Sequence, residues 1–189
     1  MKPIVLLANY RTGSTAYSAI LANQHNFVNF SEPHYKPGRI DQLSTMLVNS
    51  KTNFVLKIMP DQINTYPIYQ KILEQDRYVI KLTRDNKVEQ IVSYYIAKIT
   101  DKWSTTNPNI HGQVYKISVI KSKLIQAIEY ILEVDRLLDM QGIKFDEEIT
   151  YESISDALTV TAVDNIPKKL VAPSNYEELK QYTAQLINE

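Results

Sequence analysis

The chain has 189 residues, in which 21 lysines and arginines balance 21 aspartates and glutamates, and it contains no cysteine. One domain spanning residues 1–189 is expected, because a chain of this length buries roughly 70% of its unfolded surface without help from disulfides or metal. The lack of cysteine excludes disulfide scaffolds, thiolate zinc sites and thiol catalysis. The balanced charge argues against a nucleic-acid partner, so any anion site must be local.

The N-terminal segment lacks the features of a signal peptide. Its apolar run, Ile4 to Ala8, is followed at once by the polar Asn9-Tyr10-Arg11. A signal peptide needs a longer apolar stretch and a small-residue cleavage site. Nothing later approaches the roughly 20 apolar residues of a membrane span. We therefore expect a cytoplasmic protein with no membrane span, and the sequence leaves its oligomeric state open.

Short apolar runs alternate with amphipathic stretches along the chain, which is typical of a parallel sheet with crossover helices. The predicted strands are Pro3–Ala8, Phe27–Phe30, Asn53–Met59, Arg77–Leu82 and Ile143–Thr150. The predicted helices are Thr15–Gln24, Tyr66–Glu74, Lys87–Ile99, Val114–Met140 (ended by Gly142) and Tyr176–Ile187. The polar, turn-rich segment Thr100–Gly112 is a candidate mobile loop over a site. The pattern predicts an α/β fold of three layers, with a central, mainly parallel sheet flanked by helices.

The loop between the first predicted strand and the first predicted helix has the composition of an anion site. Backbone N–H groups and the positive end of the helix dipole converge at such a junction. Gly13 lets a bound oxyanion approach the backbone closely. Ser14 and Thr15 supply hydroxyl donors, and Arg11 supplies a planar cation that grips phosphate or sulfate bidentately. The alternative is that Thr12 or Ser14 only caps the helix.

The same loop departs from the triphosphate-binding pattern G-x-x-x-x-G-K-[ST] at two positions. Ala8 replaces the first glycine, and Ser14 replaces the lysine that reaches the β- and γ-phosphates. A triphosphate site depends on that lysine, whereas a site for one phosphate or a phosphosulfate does not. The sequence therefore predicts an oxyanion cradle rather than a triphosphate loop.

The run from Tyr10 to Thr15 resembles the loop R-[ST]-G-S-[ST] of carbohydrate sulfotransferases and of the related bacterial group that sulfates trehalose. The resemblance implies a P-loop-like fold and the donor 3′-phosphoadenosine 5′-phosphosulfate (PAPS), whose product is adenosine 3′,5′-bisphosphate (PAP). It also implies no metal, since there is no triphosphate to neutralise. The residues that would bind the 5′-phosphate and the sulfuryl oxygens are Arg11, Thr12, Gly13, Ser14 and Thr15.

A second strand–turn–helix resembles the part of this family that binds the 3′-phosphate of PAPS through an arginine and a serine. Here these residues are Arg84 at the end of a strand and Ser93 on the following helix. The family places its arginine eight residues before the serine; in this chain Asp85 occupies that position and Arg84 lies one residue earlier. The alternative is a surface turn at Arg84 and Asp85, with Asp85 or Asn86 capping the helix.

Two candidate bases follow the second predicted strand. Sulfuryl transfer to a hydroxyl requires a group that accepts the proton of the acceptor. Related carbohydrate enzymes carry a similar Phe-Glu-Pro after their second strand, so the resemblance implies that Glu32 is this base. His34 is the competing candidate, because its ordinary pKa lies near working pH. No spacing of histidine and carboxylate residues suggests a metal site.

Lys57 is unusual because it lies midway along an apolar strand, where a cation must find a partner or reach the end of the sheet. It is a candidate to steady the sulfuryl oxygens in place of the missing loop lysine. The alternative is a lysine whose ammonium extends to solvent. Tyr151-Glu152-Ser153, after the last predicted strand, resembles a Tyr-Glu-Asp found there in sulfotransferases, and we interpret it as structural.

Together these features predict a PAPS-dependent sulfotransferase that acts on a hydroxyl of a small acceptor, carbohydrate or lipid-linked. The segment Thr100–Gly112 would help to select this acceptor. Two alternatives stay open. A nucleotide kinase would bind ATP with Mg²⁺, and a catalytically silent module would bind PAP or PAPS without turnover.

Overall fold

The computed structural model describes residues 2–48, 53–101, 103, 116–140, 142–160 and 173–188. The chain divides into two compact units. The first comprises Met1–Asp85 and Val134–Ile166, and the second comprises Asn86–Glu133 and Pro167–Glu189. The single-domain interpretation stays a prediction.

A five-stranded sheet forms the centre of the first unit, and its strand order is β2-β3-β1-β4-β5. Every neighbouring pair of these strands is parallel. The strands are β1 (Ile4–Ala8), β2 (Val28–Ser31), β3 (Phe54–Ile58), β4 (Tyr78–Thr83) and β5 (Glu147–Thr150). The chain leaves β1 towards β2 and leaves β4 towards β5, on opposite sides. The crevice between the ends of β1 and β4 is therefore a topological switch point, where open α/β sheets bind ligands.

Helices cover both faces of the sheet. In chain order they are α1 (Ser14–His25), α2 (Arg39–Val48), α3 (Pro67–Leu73), α4 (Lys87–Thr100), α5 (Lys121–Met140), α6 (Tyr151–Val160) and α7 (Tyr176–Ile187). Side chains of a strand alternate between faces. Ile4 and Leu6 accordingly pack with α1 and α6, whereas Val5 and Leu7 pack with α2, α3 and the end of α5. This is the three-layer α/β, P-loop-like fold predicted from the sequence.

The elements differ from the predictions mainly in the second half of the chain. The long helix begins at Lys121, and the last strand is only Glu147–Thr150. The sequence pattern did not reveal α2 or α6, and most of the predicted loop Thr100–Gly112 lies outside the described residues. Within the described ranges, no helix is both long and apolar enough to cross a membrane.

The second unit contains α4, α7 and the first part of α5. The side chain of Asn86 caps α4 by accepting a hydrogen bond from the backbone N–H of Glu89, at 3.0 Å. Asn175, just before α7, exchanges two hydrogen bonds with the backbone of Ile117. Since Asn175 is buried, these bonds replace the water contacts that its amide loses.

Candidate functional site

The five strands of the described residues are parallel, so their carboxyl ends meet at one edge of the first unit. The loop Asn9–Thr15 follows β1, Glu32 follows β2, and Arg84 follows β4. Lys57 is the penultimate residue of β3. The topology therefore gathers the predicted site residues of this unit along one sheet edge. Ser93 belongs to α4 in the second unit.

The loop after β1 is held by hydrogen bonds within the loop and to Asp135 of α5. Asn9 is fully buried, and its Oδ1 accepts a hydrogen bond from the backbone N–H of Tyr10 at 2.6 Å. Its amide nitrogen donates to Asp135 Oδ1 at 2.9 Å, and its carbonyl accepts from the Thr12 hydroxyl at 2.8 Å. Arg11 has a left-handed backbone conformation, with φ 63°. These bonds fix the conformation of the loop, and the Thr12 hydroxyl contributes to it through its bond to the Asn9 carbonyl.

Helix α1 begins without a side-chain cap. Its N-cap residue is Gly13, with φ 75°, and no side chain caps the helix. The alternative that Thr12 or Ser14 only caps this helix is therefore wrong. The first N–H groups of a helix have no partner within it. The start of α1 therefore presents donors and a partial positive charge that no cap consumes. Ser14 is buried at this point, and Thr15 is exposed.

Lys57 provides a cation at the start of α1. In the β3 register it pairs with Leu6, on the face of the sheet that α1 covers. Its Nζ donates a hydrogen bond to Thr15 Oγ1 at 2.7 Å and forms an ion pair with Glu32. Only 2% of the Lys57 side chain is exposed. The alternative of a lysine that extends to solvent is therefore wrong.

Two opposing effects act on the Lys57 ammonium. Burial lowers its pKa below the ordinary value, while the nearby Glu32 carboxylate acts to raise it. The Arg11 guanidinium acts in the same direction as burial. The positive charge of Lys57 thus depends on Glu32. The Lys57 ammonium lies beside the Glu32 carboxylate and bonds to the uncapped start of α1, and the positive potential at this point suits an added anion.

A β-bulge directs Glu32 towards Lys57. Asn29 pairs with Val55 and Ser31 pairs with Leu56, so Phe30 is the extra residue of β2. Ser31 has φ 49°, in the left-handed region, and its N–H donates to Asn29 Oδ1 at 2.9 Å. Bulges of this kind bend a strand and re-aim the side chains that follow. The Glu32 side chain, 17% exposed, ends beside the Lys57 ammonium.

His34 belongs to an aromatic cluster next to Glu32. Its Nδ1 lies 2.7 Å from the Tyr69 hydroxyl, and its ring stacks on Tyr66 with centroids 4.7 Å apart. Burial lowers the pKa of His34, although Glu32 acts against this change. Burial also raises the pKa of Tyr69. His34 is therefore a neutral ring at pH 7, fixed by its neighbours.

Arg84 is buried, so it does not belong to a surface turn. Its Nη1 donates to the carbonyl of Arg11 at 3.1 Å, and its Nε lies 3.8 Å from Glu152 Oε1. The guanidinium also lies over the Tyr151 ring, 4.5 Å from the ring centre. The alternative of a surface turn also predicted that Asp85 or Asn86 caps the following helix. This part is confirmed, since Asn86 caps α4.

Sequence reasoning did not assign a role at this edge to Asp135, Tyr151 or Glu152. Asp135 comes from α5, far along the chain from its partner Asn9, and no local pattern marks it. Tyr151 and Glu152 directly follow β5. Their place at the carboxyl end of a strand was the signal that could have identified them. Among the described side chains, no cluster of three histidines or carboxylates could hold a metal ion.

Comparison with known proteins gives similarity in structure only. No protein-family model matches the sequence, and no curated protein matches it. The mouse sulfotransferase SULT7A1, solved with PAP, is 15% identical with a TM-score of 0.47; the match covers 96% of this chain and 64% of that protein. A sulfotransferase from Alicyclobacillus acidocaldarius is 14% identical with a TM-score of 0.41, covering 98% of this chain and 92% of that one.

An uncharacterized protein from Eubacterium ventriosum is also similar, at 9% identity and a TM-score of 0.44, covering 84% of this chain and 96% of that one. Sulfotransferases are thus among the solved structures that this chain is similar to. At these identities and TM-scores the likeness concerns topology.

Proposed function

We propose that this chain is a sulfotransferase that uses PAPS as donor and a hydroxyl of a small molecule as acceptor. One observation carries the proposal: the buried Lys57 ammonium bonds to Thr15 at the start of α1 and pairs with Glu32. It supplies the lysine ammonium that the loop itself lacks at Ser14, and it brings a carboxylate to the same point. A cradle for a transferable anionic group and a proton acceptor are the two parts that such a transfer needs.

The side chains fit the phosphosulfate end of PAPS. Arg11, Lys57 and the Thr15 hydroxyl are donors, and the uncapped start of α1 adds N–H groups and a positive potential. When bound, PAPS supplies an activated sulfuryl group. Lys57 and Arg11 stabilise negative charge on the oxygens at this point, and Gly13 and Ser14 keep the backbone within reach.

Glu32 is the proposed base. It accepts the proton of the acceptor hydroxyl, while its pairing with Lys57 holds the carboxylate in one orientation. His34 is the competing base, but its Nδ1 contacts Tyr69 and its ring stacks on Tyr66. We propose that His34 shapes the acceptor side of the site. Arg84 and Ser93 remain the proposed residues for the 3′-phosphate, and Thr12 supports the loop.

Calorimetric titration with PAP and with ATP, each with and without Mg²⁺, tests the class of ligand. We expect binding of PAP that does not depend on Mg²⁺. Tighter binding of ATP with Mg²⁺ would instead indicate a nucleotide kinase. An absence of PAP binding in all conditions would refute the proposed donor.

A sulfate-transfer assay with PAPS and panels of sugars, lipid headgroups and small hydroxylated metabolites then tests turnover. We expect transfer by the wild type and a large loss in Glu32→Gln, about 10²- to 10⁴-fold, the usual contribution of a general base. PAP affinity, measured in parallel, separates loss of the base from loss of the cradle. Binding of PAP without transfer to any acceptor would favour the silent binding module.

A further inference from the structure

Arg84 makes its contacts inside the protein, although it lies at the edge where ligands bind. Its Nη1 donates to the carbonyl of Arg11, and one face of the guanidinium lies on the Tyr151 ring. Its Nε faces the Glu152 carboxylate at 3.8 Å. Glu152 Oε2 also accepts the N–H of Asp85 at 3.0 Å. The first two residues of α6 thus hold the side chain of Arg84 and the backbone after it.

Arg84 contacts the carbonyl of Arg11, a loop residue whose backbone conformation is unfavourable for a residue other than glycine. Arg11 has φ 63°, a conformation that costs a residue other than glycine roughly 1 kcal/mol. A hydrogen bond from a cation to its carbonyl offsets this cost, because charge-assisted bonds are the strong ones. The bond fixes the peptide between Arg11 and Thr12, and with it the path of the chain into Gly13.

The environment of Arg84 reduces the freedom of its own side chain. The Tyr151 ring covers one flat face of the guanidinium by a cation–π contact, and Glu152 attracts its Nε edge. The conformational entropy of the Arg84 side chain is therefore lost when the protein folds, and anion binding does not have to reduce it further. A preorganised loop binds its ligand more tightly than a loop that must be ordered.

We propose that Tyr151 and Glu152 are positioning residues that act through Arg84 to hold the loop Asn9–Thr15 in its anion-binding shape. The inference rests on the proposed function in one respect, namely that this loop is the anion site. A purely structural role, as predicted for Tyr151-Glu152-Ser153, would affect only stability. A positioning role means that changes at Tyr151 and Glu152 alter ligand affinity in a fully folded protein.

Three single variants test the two contacts. Tyr151→Phe keeps the ring and is the matched control, Tyr151→Leu removes the ring, and Glu152→Gln removes the negative charge. We expect Tyr151→Leu and Glu152→Gln to weaken PAP binding about 3- to 10-fold, within the range of one cation–π contact or one partly exposed ion pair. Tyr151→Phe should stay within about twofold of wild type, since a cation–π contact needs only the ring. Circular dichroism and thermal melts confirm that each variant is folded.

A double-mutant cycle tests whether the effect passes through Arg84. In an Arg84→Met background, Tyr151→Leu should have no further effect on PAP affinity, because the intermediary is already absent. Additive losses would overturn the proposal. If Arg84→Met does not fold, Arg84→Lys serves instead, since lysine lacks the planar fork that this geometry uses.

The backbone amide signals of Gly13, Ser14 and Thr15 in ligand-free protein give a second readout by NMR. We expect them to shift in Tyr151→Leu and not in Tyr151→Phe. If wild type does not bind PAP but these shifts appear, the proposed donor is wrong and the positioning role stands. If wild type binds PAP, and neither the affinity nor the amide signals change in Tyr151→Leu and Glu152→Gln, the positioning role is wrong.

Discussion

Lys57 and Glu32 are the two residues on which the candidate site most depends, and each needs the other. The lysine restores the cation that Ser14 fails to provide, but it comes from a neighbouring strand and is buried. Burial disfavours its charged form, and the Glu32 carboxylate opposes this effect. Glu32 is therefore both a counter-ion and the proposed base, and experiments on either residue must separate these two roles.

Removing the lysine should weaken both anion binding and folding. We expect Lys57→Met to lower PAP affinity about 10- to 100-fold, the equivalent of one charge-assisted hydrogen bond. Its free energy of unfolding should fall by about 3 kcal/mol, since Glu32 is left without its cation. Calorimetry and urea unfolding measure these two quantities.

The double variant Lys57→Met with Glu32→Gln is the matched control for that prediction. It leaves no charge alone in the pair, so most of the lost stability should return while PAP affinity stays low. If affinity returned together with stability, Lys57 would be a structural residue and not part of the anion site.

His34 should make stability depend on pH. Burial lowers its pKa below the ordinary value of 6.5, so the unfolded chain binds its proton at a higher pH than the folded chain. Where the unfolded state binds more protons, stability falls as pH falls. We expect the free energy of unfolding to decrease more between pH ~7.5 and pH ~5 in wild type than in His34→Asn. Urea titrations at the two pH values measure this difference, and equal decreases would contradict it.

Among the elements, β2 shows how backbone geometry positions chemistry. The bulge at Phe30 and the left-handed Ser31 turn the chain just before Glu32. Without the bulge, the alternation of side chains along β2 would shift by one residue, and Glu32 would point away from the face that carries Lys57. One irregular residue pair thus brings the carboxylate to the ammonium.

The bulge can be tested at Ser31. Ser31→Val places a β-branched residue at φ 49°, and we expect a loss of about 1–2 kcal/mol in the free energy of unfolding together with lower sulfate transfer. Ser31→Gly is the matched control, because glycine adopts this conformation without steric cost. It should be as stable as wild type or slightly more stable. Equal stability of the two variants would show that the left-handed conformation at Ser31 carries no cost.

Local sequence signals predicted the five strands and five of the described helices, and they did not reveal contacts between residues far apart in the chain. Helix α1 follows β1 because a buried apolar run ends in a glycine-containing loop, and α4 has a clear apolar stripe and an Asn86 cap. Helix α2 was not predicted from the sequence, although its apolar residues share one face, from which Leu43 is fully buried. The pairing of Lys57 with Glu32 required the parallel order of β2 and β3, which no local pattern specifies.

The chain divides into two compact units, and the residues proposed for ligand binding are tested separately in each. The loop, Glu32, Lys57 and Arg84 belong to the first unit, whereas Ser93 belongs to the second. A ligand that binds only the folded state stabilises it by about 2.7 kcal/mol at a concentration 100 times its Kd. The unit in which local stability rises on ligand binding indicates which residues contact the ligand.

Hydrogen exchange with and without PAP measures that distribution. We expect PAP to protect the amides of Asn9–Thr15 whether or not Ser93 contributes, because the loop is the proposed phosphosulfate site. If Ser93 contributes to the 3′-phosphate site, the amides of α4 around it should also gain protection, and Ser93→Ala should remove that gain while leaving the loop protected. Exchange slows only where binding raises the free energy of local opening. Protection confined to the first unit would remove Ser93 from the site and leave Arg84 as the proposed residue for the 3′-phosphate.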